Sequence, residues 1–106
     1  MTRTLVVSTL TETELDYAVE WYNSLRPGLG DALVLCVEQA LDRIADHPEA
    51  FAMILPEVRR TLVRRFPYGL FFRVRQDRIE VEALFPLRSD PARLQERLGP
   101  NPARDS

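Results

Sequence analysis

The fold is decided by residues 58–86, which have the sequence VRRTLVRRFPYGLFFRVRQDRIEVEALFP. In the second half, apolar and charged residues alternate with a period of two, which is typical of strands that bury one face. A two-residue turn at Gln76 and Asp77 sets the register of a hairpin and brings Arg73 opposite Glu80 on its charged face. On the apolar face, the same register pairs Val74 with Ile79, Phe72 with Val81, Leu70 with Ala83 and Tyr68 with Phe85. One apolar and one charged face predict a sheet that helices cover on one side.

Another strand is predicted immediately before this hairpin. Residues 58–66 form a β-like run interrupted by arginines. Residues 66–69 (FPYG) place proline second and glycine fourth, which are favoured positions for these residues in a β-turn. We therefore expect three consecutive strands, preceded by an apolar connector over residues 51–56.

Two helices are predicted upstream, where the hydrophobic period becomes 3.6. After a short strand at residues 4–8, Thr11 and Glu14 form a capping box that starts a helix over residues 12–25. The helix-breaking loop RPGLG precedes a second helix over residues 31–46, and its shortness predicts an antiparallel pair. The predicted buried stripes are Leu15, Ala18, Val19, Tyr22 and Leu25 on the first helix, and Leu33, Val37, Ala40, Leu41 and Ile44 on the second.

A short third helix of about eight residues is predicted near the C-terminus. Asp90 supplies an N-cap, Pro91 suits the first helical turn, and Gly99 followed by Pro100 supplies the stop. The predicted fold is α+β in the order β-α-α-β-β-β-α, with a helical hairpin packed on a mainly antiparallel sheet. We expect a single domain over residues 1–106, ordered from about residue 4 to 98, with a loose tail at residues 101–106.

The net charge of −2 hides two halves of opposite sign. Residues 1–57 contain three arginines and ten acids, which gives −7, whereas residues 58–106 contain eleven arginines and six acids, which gives +5. All fourteen basic residues are arginine. The longest apolar runs have six residues, too short to span a bilayer, and no signal-peptide pattern is present. We therefore expect a cytoplasmic protein without a membrane segment.

The usual apparatus of an enzyme is not recognisable in this sequence. The lone Cys36 lies in an apolar helical run and is expected to be buried and inert, and the only histidine, His47, follows the second helix. No set of ligating residues has metal-binding spacing, so neither a metal nor a cofactor is expected.

The informative feature is a group of arginines within residues 58–79, where Asp77 is the only acid. Arg73 and Arg75 are expected to pair with Glu80 across the hairpin. Four others have no evident opposite charge and are candidates for contact with phosphate or with an acidic protein segment: Arg59, Arg60, Arg64 and Arg65. The residues alone do not choose between those two partners.

The chain resembles the RelE/ParE superfamily of toxins from bacterial type II toxin-antitoxin modules, and it looks closest to the ParE, or plasmid-stabilisation, branch. The resemblance covers about residues 4–98. The matching motifs are VRRTLVRRFPYGLFF at 58–72, IEVEA at 79–83, RSDP at 88–91, WY at 21–22, PGLG at 27–30 and HPE at 47–49. The resemblance implies a helical hairpin on an antiparallel sheet. This agrees with the order of helices and strands that was predicted above from the residues alone.

Two activities are implied by this resemblance. ParE-like toxins bind and block DNA gyrase without being enzymes, whereas RelE-like toxins cut messenger RNA on the ribosome without a metal. A nuclease would have Arg64, Arg65, Tyr68 and Arg88 as its candidate catalytic residues. Arginine is a poor proton carrier, the chain has no lysine, and Pro86 replaces a histidine of the common ParE-branch motif. The expected function is therefore gyrase inhibition, with an endoribonuclease or an inactive relative as alternatives.

The resemblance also implies a cognate antitoxin, bound on or beside the basic half by contacts that added salt weakens. Phe71 and Leu84 fall on the charged face in the predicted register and are candidate hydrophobic anchors. Alternatively, these two residues pack against the C-terminal helix, and the two interpretations carry equal weight. Tyr68 is interpreted either as a catalytic residue or as a half-buried ring against Phe85. The expected target or antitoxin contacts are Arg59, Arg60, Arg64, Arg65, Phe71, Leu84 and Arg88.

Overall fold

The computed structural model describes residues 3–99, which form an α+β fold. Its elements are β1 (Thr4–Val7), α1 (Thr9–Leu25), α2 (Leu29–Asp46), β2 (Met53–Leu55), β3 (Val58–Leu62), β4 (Tyr68–Val74), β5 (Arg78–Pro86) and α3 (Pro91–Leu98). The predicted class and order are confirmed, and β2 is an additional strand within the predicted connector. The tail predicted for residues 101–106 lies outside the described residues.

The five strands of this part of the chain form one mixed sheet in the order β1-β5-β4-β3-β2. β1 runs parallel to β5, and the other neighbours are antiparallel. Within residues 3–99, no helix combines the length and the apolar character needed to cross a membrane.

The N-cap of α1 differs from the prediction. Ser8, in extended backbone, caps the helix by accepting a hydrogen bond from the Thr11 N–H at 3.1 Å, so α1 begins at Thr9. Thr11 is buried in the first turn, and its hydroxyl donates to the Val81 carbonyl at 3.4 Å. Glu14 caps nothing because its carboxylate contacts β5 and α3. The predicted capping box is therefore wrong.

The helical hairpin closes on Asn23 and two glycines. The Asn23 side-chain oxygen accepts hydrogen bonds from the N–H groups of Gly28 at 3.2 Å and Gly30 at 2.7 Å. Gly28 has a φ of 91°, a left-handed conformation that glycine adopts without steric cost. A Cβ on Gly30 would lie 2.3 Å from the Val19 carbonyl oxygen, so glycine lets the two helices approach closely. α2 consequently starts at Leu29, two residues earlier than predicted.

The main core lies between the helical hairpin and one face of the sheet, called here the helix face. Of the predicted core residues in α1, Ala18 is buried, whereas Leu25 is exposed, contrary to the prediction. The predicted stripe of α2 is confirmed, with Leu41 partly buried at its edge. Cys36 is also buried, as expected. The fully buried members with the largest side chains are Phe72, Leu33, Ile44, Leu70, Ile79 and Val81.

A β-bulge changes the hairpin register halfway along. The predicted pairs Val74 with Ile79, Arg73 with Glu80 and Phe72 with Val81 are present. Between Phe71 and Phe72 the register then shifts, because Glu82 is an extra residue in β5. The predicted pairs Leu70 with Ala83 and Tyr68 with Phe85 are therefore wrong. The observed pairs beyond the bulge are Phe71 with Ala83, Leu70 with Leu84, Gly69 with Phe85 and Tyr68 with Pro86.

The opposite face of the sheet, called the outer face, carries α3 over a second apolar cluster. This cluster consists of Val58, Phe71, Ala83 and Leu98, all buried. Arg73 is also buried here, and its guanidinium donates to the Glu82 carboxylate and, at 2.6 Å, to the Leu98 carbonyl. The predicted side-chain pair of Arg73 with Glu80 is wrong, because Arg73 bonds to Glu82 while Glu80 pairs with Arg75 and Arg78.

Glu14 and Arg97 close the edge of β5 where β1 ends. β1 pairs with β5 only as far as Val81, so the following residues have no strand neighbour on that side. The Glu14 carboxylate accepts a hydrogen bond from the Leu84 N–H at 3.0 Å, and the Arg97 guanidinium donates to the Glu82 carbonyl at 2.5 Å. Arg97 also donates to the Glu14 carboxylate. This clamp joins α1, β5 and α3.

Breaking the clamp should lower stability. We expect Glu14→Ala to reduce the free energy of unfolding by about 2 to 3 kcal/mol, because the Leu84 N–H and the half-buried Arg97 charge both lose their acceptor. Urea denaturation followed by circular dichroism measures this change. Glu20→Ala removes an exposed carboxylate from the same helix and should change stability by less than about 0.5 kcal/mol. Equal effects of the two substitutions would contradict the role of the clamp.

The hairpin tip should contribute pH-dependent stability. Burial alone would raise the pKa of Glu80, but hydrogen bonds from Arg78 and Arg75 and their positive charges outweigh it and lower this pKa. A lowered folded-state pKa stabilises the protein above the unfolded value of about 4.5, and this stabilisation is lost as the pH falls through the folded value. The stability difference between wild type and Glu80→Gln should therefore shrink between pH 6 and 3 in urea titrations. A pH-independent difference would contradict this role.

Candidate partner-binding site

Two turns meet at one end of the sheet. The β3–β4 turn and the β5–α3 turn are adjacent because Tyr68 pairs with Pro86, and the Leu87 N–H donates to the Pro67 carbonyl at 2.9 Å. The turn predicted over residues 66–69 instead occupies residues 63–67, and β3 ends at Leu62 rather than at residue 66. Phe66 is buried with its ring centroid 5.1 Å from that of Tyr22, which draws the chain back toward the helices before β4 begins.

Four of the predicted arginines converge on this end, which we call the cationic end: Arg60, Arg64, Arg65 and Arg88. Their exposed side chains make no hydrogen bond or ion pair with any other residue between 3 and 99. Arg60 lies across Gly69, where an added Cβ would be 3.2 Å from the Arg60 Cδ. Glycine at this position lets the aliphatic stem of Arg60 lie along the sheet.

Arg59 is the exception among the predicted contacts on β3. It points to the opposite side of the strand, where its guanidinium donates to the carbonyls of Phe51 at 2.6 Å and Glu49 at 3.2 Å. These bonds tie the strand to the segment that follows α2. The structure therefore separates Arg59 from the cationic end.

Phe71 and Leu84 do not lie on the surface. Phe71 is 3% exposed and packs in the cluster beneath α3, which was the alternative prediction, whereas Leu84 is 2% exposed in the main core. The bulge separates the two residues onto opposite faces. The exposed apolar side chains that flank the cationic end are instead Leu62 and Leu87.

Tyr68 lies on the helix face, half-buried next to Tyr22, with the two ring centroids 6.2 Å apart. The shifted register places Phe85 on the outer face, so the predicted packing of Tyr68 against Phe85 is replaced by packing against Tyr22. Burial, together with the neighbouring Tyr22, raises the pKa of Tyr68. Its phenol is therefore neutral at physiological pH. Among residues 3–99, no cluster of His, Cys, Asp and Glu could hold a metal ion.

A groove of about 490 Å³ runs from the cationic end along α1. One wall is α1 with Tyr17 and Trp21, and the other wall is the end of β5 and the start of α3, with Pro86 and Arg93. Tyr68 also lines it. This groove is not predicted from the sequence, although the apolar residues of α1 cover more of the circumference of the helix than one buried stripe needs.

Comparison with solved structures identifies other proteins with this fold. A chain of the chromosomal ParDE TA system from P. aeruginosa aligns with 80% of this chain and 96% of its own length, with a TM-score of 0.73 and 19% identity. A mutant of the E. coli toxin RelE in the free state aligns over 92% and 94%, with a TM-score of 0.67 and 15% identity. No family model and no curated protein matches the chain. The predicted RelE/ParE fold is confirmed.

The turn at the cationic end contains one strained residue. Arg65 has a φ of 72°, in the left-handed region that costs an ordinary residue roughly 1–2 kcal/mol, and glycine avoids this cost. Arg65→Gly should relieve this strain, but the greater conformational freedom of glycine also stabilises the unfolded chain. We therefore expect a net rise in the free energy of unfolding of up to about 1 kcal/mol. The neighbouring Arg64, which is not in this region, is the matched control, because Arg64→Gly should lower stability. Urea unfolding of both variants measures the contrast, and equal changes would contradict it.

Proposed function

We propose that this chain is the toxin of a type II toxin-antitoxin module, that it acts by binding DNA gyrase, and that a cognate antitoxin neutralises it. The proposal is supported by the fold that the chain shares with the RelE toxin and with a chain of the ParDE system. It is also supported by the motifs that extend over both halves of the sequence.

The cationic end is the observation that favours binding as the mode of action. Its four arginines have no partner among residues 3–99, and two exposed leucines flank them. Guanidinium groups interspersed with apolar side chains suit an acidic protein surface with hydrophobic anchors. We therefore assign target contacts to Arg60, Arg64, Arg65 and Arg88. Arg59 is left out because its guanidinium bonds to backbone carbonyls of the same chain.

A ribosome-dependent endoribonuclease is the second candidate, favoured by the tyrosine that adjoins the cationic end. In that function the arginines would stabilise phosphate charge, and Tyr68 would contact the reacting groups. Proton transfer is the weak step, because arginine stays protonated and the raised pKa of Tyr68 keeps its phenol neutral. This chemistry favours gyrase binding over RNA cleavage.

The purified protein should inhibit supercoiling by gyrase, and the double variant Arg64→Ala/Arg88→Ala should weaken inhibition by at least about tenfold. The matched control is Arg3→Ala/Arg78→Ala, which removes the same charge from sites outside the cationic end and should inhibit like wild type. The measurement is the protein concentration that halves the supercoiling rate. Circular dichroism checks that both variants fold.

Two results would overturn this assignment. If supercoiling is untouched while messenger RNA is cut in a translation system, and Arg64→Ala or Tyr68→Phe stops the cutting, the chain is an endoribonuclease. If induced expression without an antitoxin leaves growth unchanged, the chain is an inactive relative of the same fold.

A further inference from the structure

A second cleft lies at the end of the sheet opposite the cationic end. Its volume is about 330 Å³, which is within the range of small-molecule sites. β4 runs from Tyr68 at the cationic end to Val74, which lines this cleft. The length of that strand, about 20 Å, therefore separates the two surfaces.

Three arginines from separate segments of the chain line the cleft. Arg3 precedes β1, Arg59 lies in β3, and Arg75 follows β4. Two of them are held by bonds inside the chain. The Arg59 guanidinium donates to the carbonyls of Glu49 and Phe51, and Arg75 donates to the Glu80 carboxylate at 3.0 Å. These positive groups are therefore fixed in position before a ligand binds, which lowers the entropic cost of binding.

The acids of the cleft do not balance its positive charge. Glu49 and Glu57 are the two acids among the lining residues, so three guanidinium groups face two carboxylates. The hydrogen bonds of Arg59 go to backbone carbonyls, which carry no net charge. The cleft therefore has a net positive charge and favours an anion.

Both carboxylates are held weakly. The side chains of Glu49 and Glu57 are 63% and 60% exposed. Glu49 accepts a hydrogen bond from Arg3 at 3.0 Å, and the Glu57 carboxylate lies 3.7 Å from the Arg75 guanidinium. Exposed ion pairs of this kind contribute only about 0 to 1 kcal/mol. An anion that contacts more than one guanidinium group can therefore replace them.

Glu57 has an unusual backbone conformation at this cleft. It follows Pro56 in the turn between β2 and β3, and its φ is 63°. Glycine or asparagine is the usual residue with positive φ after a proline in a turn. Ordinary residues held in this region are strained, and such residues are frequent at ligand sites.

We propose that this cleft binds a small organic phosphate. Guanidinium groups match phosphate oxygens in geometry and charge. Groups that come from three segments suit a tetrahedral anion with several oxygens better than a planar carboxylate with two. Met53, which is 56% exposed, and Val74 supply apolar surface for the organic part of the ligand. The bound phosphate displaces the carboxylates of Glu49 and Glu57 into solvent. This site goes beyond the proposed function and does not depend on it.

Calorimetry on the full chain tests the chemistry of the ligand with three probes. Adenosine 5′-monophosphate should bind. Adenosine, which lacks the phosphate, and succinate, which carries only carboxylates, should bind at least about tenfold more weakly. The monophosphate should also raise the midpoint of thermal unfolding. Failure of the monophosphate to bind, or equal affinity for adenosine or succinate, would overturn the proposal.

Substitutions in the cleft should change the affinity for adenosine 5′-monophosphate in opposite directions. Arg3→Gln should weaken binding by at least about tenfold, because the phosphate loses a charged donor. Glu49→Gln should strengthen binding, because this carboxylate no longer competes for Arg3. Arg26→Gln and Glu38→Gln are the matched controls, since both side chains are exposed and neither lines the cleft. They should leave the affinity unchanged, and circular dichroism checks that all four variants fold.

The cationic end is the competing site for a phosphate. Arg64→Ala/Arg88→Ala removes two of its charges and should leave the affinity for adenosine 5′-monophosphate unchanged. If this double variant abolishes binding while Arg3→Gln does not, the phosphate binds at the cationic end and the proposal is wrong. Inhibition of supercoiling is a separate readout, in which Arg3→Gln should act like wild type. Failure of the phosphate site therefore leaves the toxin assignment intact, and failure of the toxin assignment leaves the calorimetry to decide the site.

Discussion

A strand in the middle of a sheet must have both edges satisfied, and β5 loses one neighbour at Val81, where β1 ends. Glu14 from α1 and Arg97 from α3 bond to the exposed backbone groups beyond that point and to each other. Side chains from two helices thus stand in for the missing strand. This requirement fixes where α1 and α3 lie against the sheet and keeps foreign strands from pairing there.

The bulge at Glu82 determines which side chains of β5 face the main core and which face α3. One extra residue in β5 puts Leu84 into the main core and moves Ala83 beside Phe71 under α3. Leu84 thereby becomes a core residue, whereas Phe71 is buried in the cluster beneath α3. The convergent turns and the side of α1 that the sheet does not cover remain exposed.

The sequence predicts the elements of this fold well and its side-chain contacts less well. Periodicity and turn residues predict both long helices, the hairpin near Gln76 and the extent of α3. These elements can be predicted because they depend on residues that are neighbours in the sequence. The burial of Thr11 and the partners of Glu14 depend on residues 70 to 83 positions away. The bulge at Glu82 depends on how β5 pairs with β4, which the alternation of apolar and charged residues does not reveal. The unpaired arginines can be predicted from the lack of nearby acids in the sequence. The groove cannot, because its prediction depends on which apolar side of α1 the sheet leaves uncovered.

The clamp also constrains the order in which this chain folds. Arg97 and Glu14 are 83 residues apart, and an isolated eight-residue helix such as α3 is unstable in water. α3 can therefore form only once the helical hairpin and sheet exist to receive it. During synthesis, the outer face with Phe71 and Val58 stays uncovered until residues 91–98 have emerged from the ribosome. Docking of α3 is therefore the step that removes this apolar surface from contact with other chains.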